Sequence, residues 1–167
     1  LKQFRHNVHV ITPNSYADFL HWMPGNEDVI VFEDNEEEAK QITENADLIF
    51  LLDFSHISRI ADFADTVSNS NATKILIDHH QDPDIEIADI ILPGSAYTEQ
   101  DGYFTNLEGK IQKAYKASYP PGEAKEDWQI INELAELMNN RKLFNDREEL
   151  ESSMLNHLNL QKEKQIN

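Results

Sequence analysis

Two runs of the sequence, Asp47 to Asp53 (DLIFLLD) and Lys74 to Asp78 (KILID), are apolar without alternation and close on an aspartate. Runs of this kind fit strands covered on both faces of a parallel sheet, so the polar residue that ends each one is driven to the carboxyl edge of that sheet. Ligands of open α/β sheets gather at that edge. The second run continues directly into His79, His80, Gln81, Asp82 and Pro83, which places an aspartate and two histidines where a buried strand stops and the chain turns.

The surrounding sequence supplies the other parts of such a sheet. Val8 to Thr12 reads as a short strand before the Pro13-Asn14 turn, and Val29 to Phe32 as another. Ser15 is placed to cap a short helix from Tyr16 to Trp22 that ends at Pro24-Gly25. Asn35 opens a helix with Glu36, Glu37 and Glu38 in its first turn, as the helix dipole favours, and the helix closes near Asn45. Ser55 is placed to cap a further helix from His56 to about Val67, with Ile57, Ile60, Ala61 and Ala64 as its inner stripe. Strands alternating with helices predict an α/β fold, a partial parallel sheet wound by right-handed helical crossovers.

Beyond about Ala88 the character changes. Residues 1–88 hold 5 basic and 17 acidic residues, against 9 and 14 in residues 89–167. A strand-like ADIILP leads into a polar, glycine-punctuated stretch with one weak strand from Lys110 to Tyr115. A helix follows from Glu126 to Asn139, with Trp128, Ile131, Leu134, Ala135 and Met138 on one face. A second helix is expected from Asp146 to Leu158, ahead of a frayed polar tail. The predicted architecture is therefore an α/β part at 1–87, an irregular α+β segment ending in helices at 88–158, and a tail at 159–167.

A formal net charge of -17 opposes long-range attraction to duplex nucleic acid or anionic membranes. The apolar runs are too short to cross a bilayer, so no membrane insertion is expected. With no cysteine, the chain has no thiolate to ligate an iron–sulfur cluster. The lack of cysteine is compatible with a reducing compartment, no signal peptide is visible, and a cytoplasmic setting is expected. Neither GxGxxG nor GxxxxGK[ST] occurs, which weighs against a nucleotide-binding α/β module.

At the strand ends, carboxylate and imidazole together suit Mn2+, Fe2+ or Zn2+. Successive strand residues point to opposite faces, so His79 and His80 share a site only once the strand has ended. The ordinary alternative is that paired histidines are surface residues. Asp82 and Asp84 read as turn caps, the Glu36 to Glu38 run as a solvated helix start, and His6, His9, His21 and His56 as surface or loop histidines.

IDHH at Ile77 to His80, with LIFLLDFSHISRI at Leu48 to Ile60 and VHVITPNSYADFLHWMPG upstream, resembles the DHH phosphoesterases. The likeness is to the branch that degrades very short oligonucleotides and dephosphorylates 3'-phosphoadenosine 5'-phosphate. That resemblance implies two Mn2+ ions, with Asp53 as a bridging carboxylate and His79 as a direct metal ligand. It further implies that His80 contacts the substrate phosphate or supports the metal shell and that Asp78 orients the histidines, both as catalytic residues. The family's earlier strand-end motif of a histidine and two aspartates is missing from this sequence. So are its later aspartate and its glycine-rich substrate domain, and catalysis by the chain alone is not expected.

LPGSAYTEQDGYFTNLEGKIQ followed by PPGEAKEDW, within Ala88 to Met138, resembles a second family: the C-terminal part of molybdopterin-oxidoreductase-like proteins, nearest to the large iron–sulfur subunit of NADH-quinone oxidoreductase. This likeness implies a non-catalytic segment of an electron-transport complex that needs partner subunits. Glu99, Gly102, Asn106, Glu108 and Gln112 would then be structural, and Trp128 would anchor its helix. The two likenesses meet near Asp84 to Ala88 and belong to unrelated proteins, which implies an engineered or computed chimera, a misassembled reading frame or a rare natural fusion, with an artificial or erroneous join favoured because both partners are truncated there.

Overall fold

The computed structural model describes residues 5–80, 86–108 and 110–157. The expected Gln81-Asp82-Pro83 turn, the capping roles of Asp82 and Asp84, and the tail lie outside the described residues.

β1 (Val10–Thr12) and β2 (Val29–Val31) form a parallel pair, and α1 (Glu36–Glu44) follows them. The principal sheet has three parallel strands, β3 (Leu48–Leu52), β4 (Thr73–Asp78) and β5 (Ile90–Pro93), in the order β3-β4-β5. Between β3 and β4 run a 3-10 stretch (Ile57–Phe63) and α2 (Ala64–Asn69). An antiparallel hairpin of β6 (Gly102–Thr105) and β7 (Ile111–Ala114) precedes two helices, α3 (Asp127–Asn139) and α4 (Arg147–His157). The molecule is thus α/β, parallel strands with helical crossovers followed by an irregular α+β segment that ends in helices.

β4 is the centre of the packing. From Lys74 to Asp78 every residue is buried, and alternate side chains serve opposite faces. Leu76 joins Phe32, Ala39, Leu51, Ile60, Phe63 and Val67 on the side of α1 and α2, where the Phe32 and Phe63 rings stand 4.6 Å apart. Ile75 and Ile77 meet Ile130 of α3 on the other side, flanked by Phe50, Leu92 and Leu134. β5 and α3, both from beyond Ala88, therefore share the sheet and core of the first part.

Several local expectations need correction. β3 is an edge strand and only partly covered, with Leu52 57% exposed, because no strand pairs on its far side among the described residues. Ser15 caps no helix; its N–H bonds Glu33, and only the 3-10 turn Asp18–Leu20 forms there. The helix expected after Ser55 is broken at Ala61, whose φ of 49° and ψ of -131° are not helical. That break turns Phe63 and Val67 inward with Ile60 and leaves Ala61 exposed. β6 pairs with the weak strand near Lys110, a partner that periodicity did not reveal.

On α3 the buried residues are Ile130, Asn132 and Ala135, whereas Ile131 and Met138 are exposed. The face is set by two contacts. Ile130 packs on the sheet, and Asn132 closes the following loop, accepting N–H bonds from Leu143 and Phe144 while donating to the Phe144 carbonyl at 2.9 Å. The N-terminus of α3 is held by charge. Buried Glu126 pairs with Arg147 and accepts the Trp128 indole N–H at 2.8 Å. Arg147 also reaches Glu151, which binds Lys113 of β7 at 2.7 Å and holds that amine above its ordinary range.

Replacing Ile130 with alanine removes the anchor of α3 and is expected to cost about 2–5 kcal/mol of stability. Urea unfolding followed by Trp fluorescence and far-UV circular dichroism should show one shifted transition; an unmoved midpoint would mean that α3 is held elsewhere.

Candidate metal centre

The register Leu52↔Ile77 sets the ends of β3 and β4 side by side. Asp53 follows β3 with a φ of 60°, a left-handed conformation that aspartate tolerates better than most residues, and its N–H donates to the Ile77 carbonyl at 3.0 Å. β4 ends at Asp78, after which the rings of His79 and His80 stack at 4.7 Å with 17° between their planes. All four residues singled out in the sequence come together. Asp53, Asp78, His79 and His80 each offer one ligand atom, and these atoms lie within 4.8 Å of one another.

The pairing inside the group is specific. His80 Nδ1 lies 2.6 Å from Asp78 Oδ1, and His79 Nδ1 lies 3.2 Å from Asp53 Oδ1. A histidine that donates its Nδ1 proton to a carboxylate keeps a lone pair on Nε2, the arrangement that prepares imidazole to bind a metal. The Asp78 side chain is 1% exposed, and its other oxygen, Oδ2, is buried without a hydrogen-bond partner. A carboxylate oxygen left so costs about 1–3 kcal/mol or more unless a donor or cation meets it.

The donors fit a divalent cation. A first-row ion bound to oxygen and nitrogen at about 2.0–2.2 Å keeps opposite ligands roughly 4–4.4 Å apart, so this spread needs only a slight contraction. Mixed carboxylate and imidazole suit Mn2+, Fe2+ or Zn2+.

A fifth group stands at the margin, Asp127, the first residue of α3. Its carboxyl is held above the ordinary range, first by partial withdrawal from water and then by the Asp53 carboxylate, with His79 acting in the opposite direction. Gly94, whose N–H donates to the Asp78 carbonyl at 2.8 Å, is packed so tightly that a Cβ there would stand 2.9 Å from Asp127 Oδ1. Sequence reasoning passed over Asp127. Its one signal was an acid at a helix start, which ordinary helix chemistry also explains.

The other histidines lie elsewhere. His56, His6 and His9 are exposed, the last two beside an open cleft of about 620 Å³, and His21 makes an edge contact with Tyr16. In the second segment, Asn106 Oδ1 closes the hairpin loop by accepting the N–H groups of Glu108 and Lys110, and Glu99 accepts the Ala96 N–H. Glu108 contributes there through its backbone.

Similarity to known proteins runs in two directions. The sequence profile of the molybdopterin oxidoreductase family matches residues 25–137. The NADH-ubiquinone oxidoreductase 75 kDa subunit of Reclinomonas americana is 43% identical over 77 residues, 46% of this chain and 11% of its own length. The mitochondrial 78 kDa subunit of Candida albicans is 42% identical over 87 residues, 50% of this chain and 12% of its own. This chain thus spans only a small part of those relatives. Among solved structures, an exopolyphosphatase-related protein from Bacteroides fragilis is similar with a TM-score of 0.54 at 37% identity, covering 55% of this chain and 27% of that one.

The raised Asp127 has a consequence for stability in chelator. Its folded-state affinity for a proton exceeds the unfolded one, so its contribution is full below the ordinary aspartate range and is lost as pH rises through the folded value. Asp127→Asn is expected to flatten that part of the profile of melting temperature against pH, read by thermal unfolding in EDTA.

Proposed function

The chain belongs to the molybdopterin oxidoreductase family, and we propose that it acts as a non-catalytic segment of an NADH-quinone oxidoreductase large-subunit-like protein, assembled against partner subunits. The observation that carries this reading is the outer face of α3. Ile131 and Met138, seven residues apart on one side of the helix, are 50% and 46% exposed although the helix is already docked through Ile130. Apolar side chains left on the free side of an anchored helix are what a subunit contact would cover. The named relatives are subunits of such complexes, which supports the same reading. With no cysteine, this segment's role would be architectural.

Ile131→Lys combined with Met138→Lys should leave the circular dichroism spectrum unchanged and abolish binding to NADH-quinone oxidoreductase subunits in native mass spectrometry. Retained assembly by that variant, or no assembly by the wild-type chain, overturns the reading.

The unpartnered Asp78 Oδ2 among four ligand atoms favours a second reading for the strand ends. Here Asp53 and His79 hold Mn2+, Asp78 orients His80, and His80 faces the phosphate of a short nucleotide or nucleoside phosphate such as 3'-phosphoadenosine 5'-phosphate. A bound Mn2+ would polarise a phosphoryl oxygen and acidify a water. Of the protein's own groups, the Asp78–His80 pair at 2.6 Å holds one imidazole in a set orientation at the strand end. The motif likeness is to phosphoesterases, and the similar solved structure is described as exopolyphosphatase-related.

Calorimetric titration with Mn2+ tests this second reading. Binding is expected to weaken at least tenfold when Asp53 and His79 become alanine, and unchanged binding would sink it. Hydrolysis of 3'-phosphoadenosine 5'-phosphate that needs Mn2+ and is lost in the same variant would instead overturn the non-catalytic assignment.

A further inference from the structure

We propose that Asp127 is a further donor, beside Asp53 and His79, to a divalent cation at the strand ends flanked by the Asp78–His80 pair, so that the cation draws the N-terminus of α3 onto them. This rests on the cation reading of the strand ends and adds a residue from outside the segment that resembles phosphoesterases.

Three placements carry it. First, Ile130 is packed on Ile75 and Ile77 of β4, and Asp127 lies one turn earlier on the same side of α3. Residues three apart on a helix are neighbours, so the contact that docks the helix also aims Asp127 at the sheet. Because β4 stops at Asp78, the first turn of α3 comes to the carboxyl end of the strands.

Second, the Asp127 carboxylate rests against Gly94, which is hydrogen-bonded to the Asp78 carbonyl through the β4–β5 ladder. A side chain at 94 would occupy the place Asp127 takes. Third, Asp78 Oδ2 is a deeply buried acceptor with no donor. Asp53 and Asp78 lie in one cluster with the two imidazoles, the Asp127 carboxylate feels that of Asp53, and a divalent ion would relieve this repulsion between carboxylates. The α3 dipole alone supplies only about half a positive charge.

The test uses the full chain with Mn2+ as the probe, comparing wild type, Asp127→Asn, Gly94→Ala and the double variant Asp53→Ala/His79→Ala. Gly94 has no left-handed φ, so alanine is allowed by the backbone and its methyl displaces only the flexible end of Asp127. Mn2+ affinity by calorimetry is expected to fall about 10- to 100-fold in both single variants. Thermal unfolding gives a second readout, on which a merely structural role would act the other way. In EDTA the melting temperature of Asp127→Asn should equal or exceed that of the wild type, whereas in saturating Mn2+ the wild type should gain more.

Mn2+ binding that is lost in the double variant but unchanged in Asp127→Asn and Gly94→Ala overturns the role of Asp127 while leaving the Asp53–His79 site standing. A wild-type chain that binds no Mn2+ overturns both.

Discussion

Burial of β4 on both faces is the constraint on which the rest of the structure depends. Leu76 is held by the helices of the first part, and Ile75 and Ile77 are held by α3 from the second. Apolar area removed from water stabilises at roughly 25 cal/mol per Å², and a central strand collects that gain twice. Neither helical layer alone would cover it. Among the described residues, β5 and α3 of the second part therefore share the sheet and core of the first.

The same burial creates the polar problem at the strand end. Asp78 closes a strand that is paired along both edges, so its carboxylate is drawn into the interior with His80 satisfying only one oxygen. Asp53 and His79 meet it from the ends of β3 and β4, and the first residue of α3, Asp127, stands close enough for the Asp53 carboxylate to raise its carboxyl. Of these groups only Asp78 is buried, and its unpartnered oxygen carries a desolvation cost that a cation or donor at the strand end would offset. Glu126, Arg147 and Glu151 stiffen the far side of this arrangement by fixing the start of α3 against α4 and the hairpin.

Much of the first part was legible because its signals are local and periodic. Continuous apolar runs marked β3 and β4, and Asn35 with three glutamates marked the start of α1. Asp53, Asp78, His79 and His80 were found because a strand end is a position that sequence can indicate. The failures have one cause, competition from contacts distant in sequence. Ala61 leaves the helical region so that Phe63 and Val67 can reach the core. On α3, a stripe through Ile131 and Met138 satisfies helical spacing as well as the observed one, and only the sheet and the loop at Phe144 select Ile130 and Asn132.

The sequence by itself determined the strand-helix alternation, the acidic balance, the absence of thiolate chemistry and the four residues at the strand ends, because each follows from residue type and short-range spacing. Tertiary structure alone decided which face of α3 is inside, that β5 completes the sheet of β3 and β4, and that Asp127 stands beside Asp53 and His79. Those choices depend on which surfaces meet, and the energy of meeting is set by partners dozens of residues away.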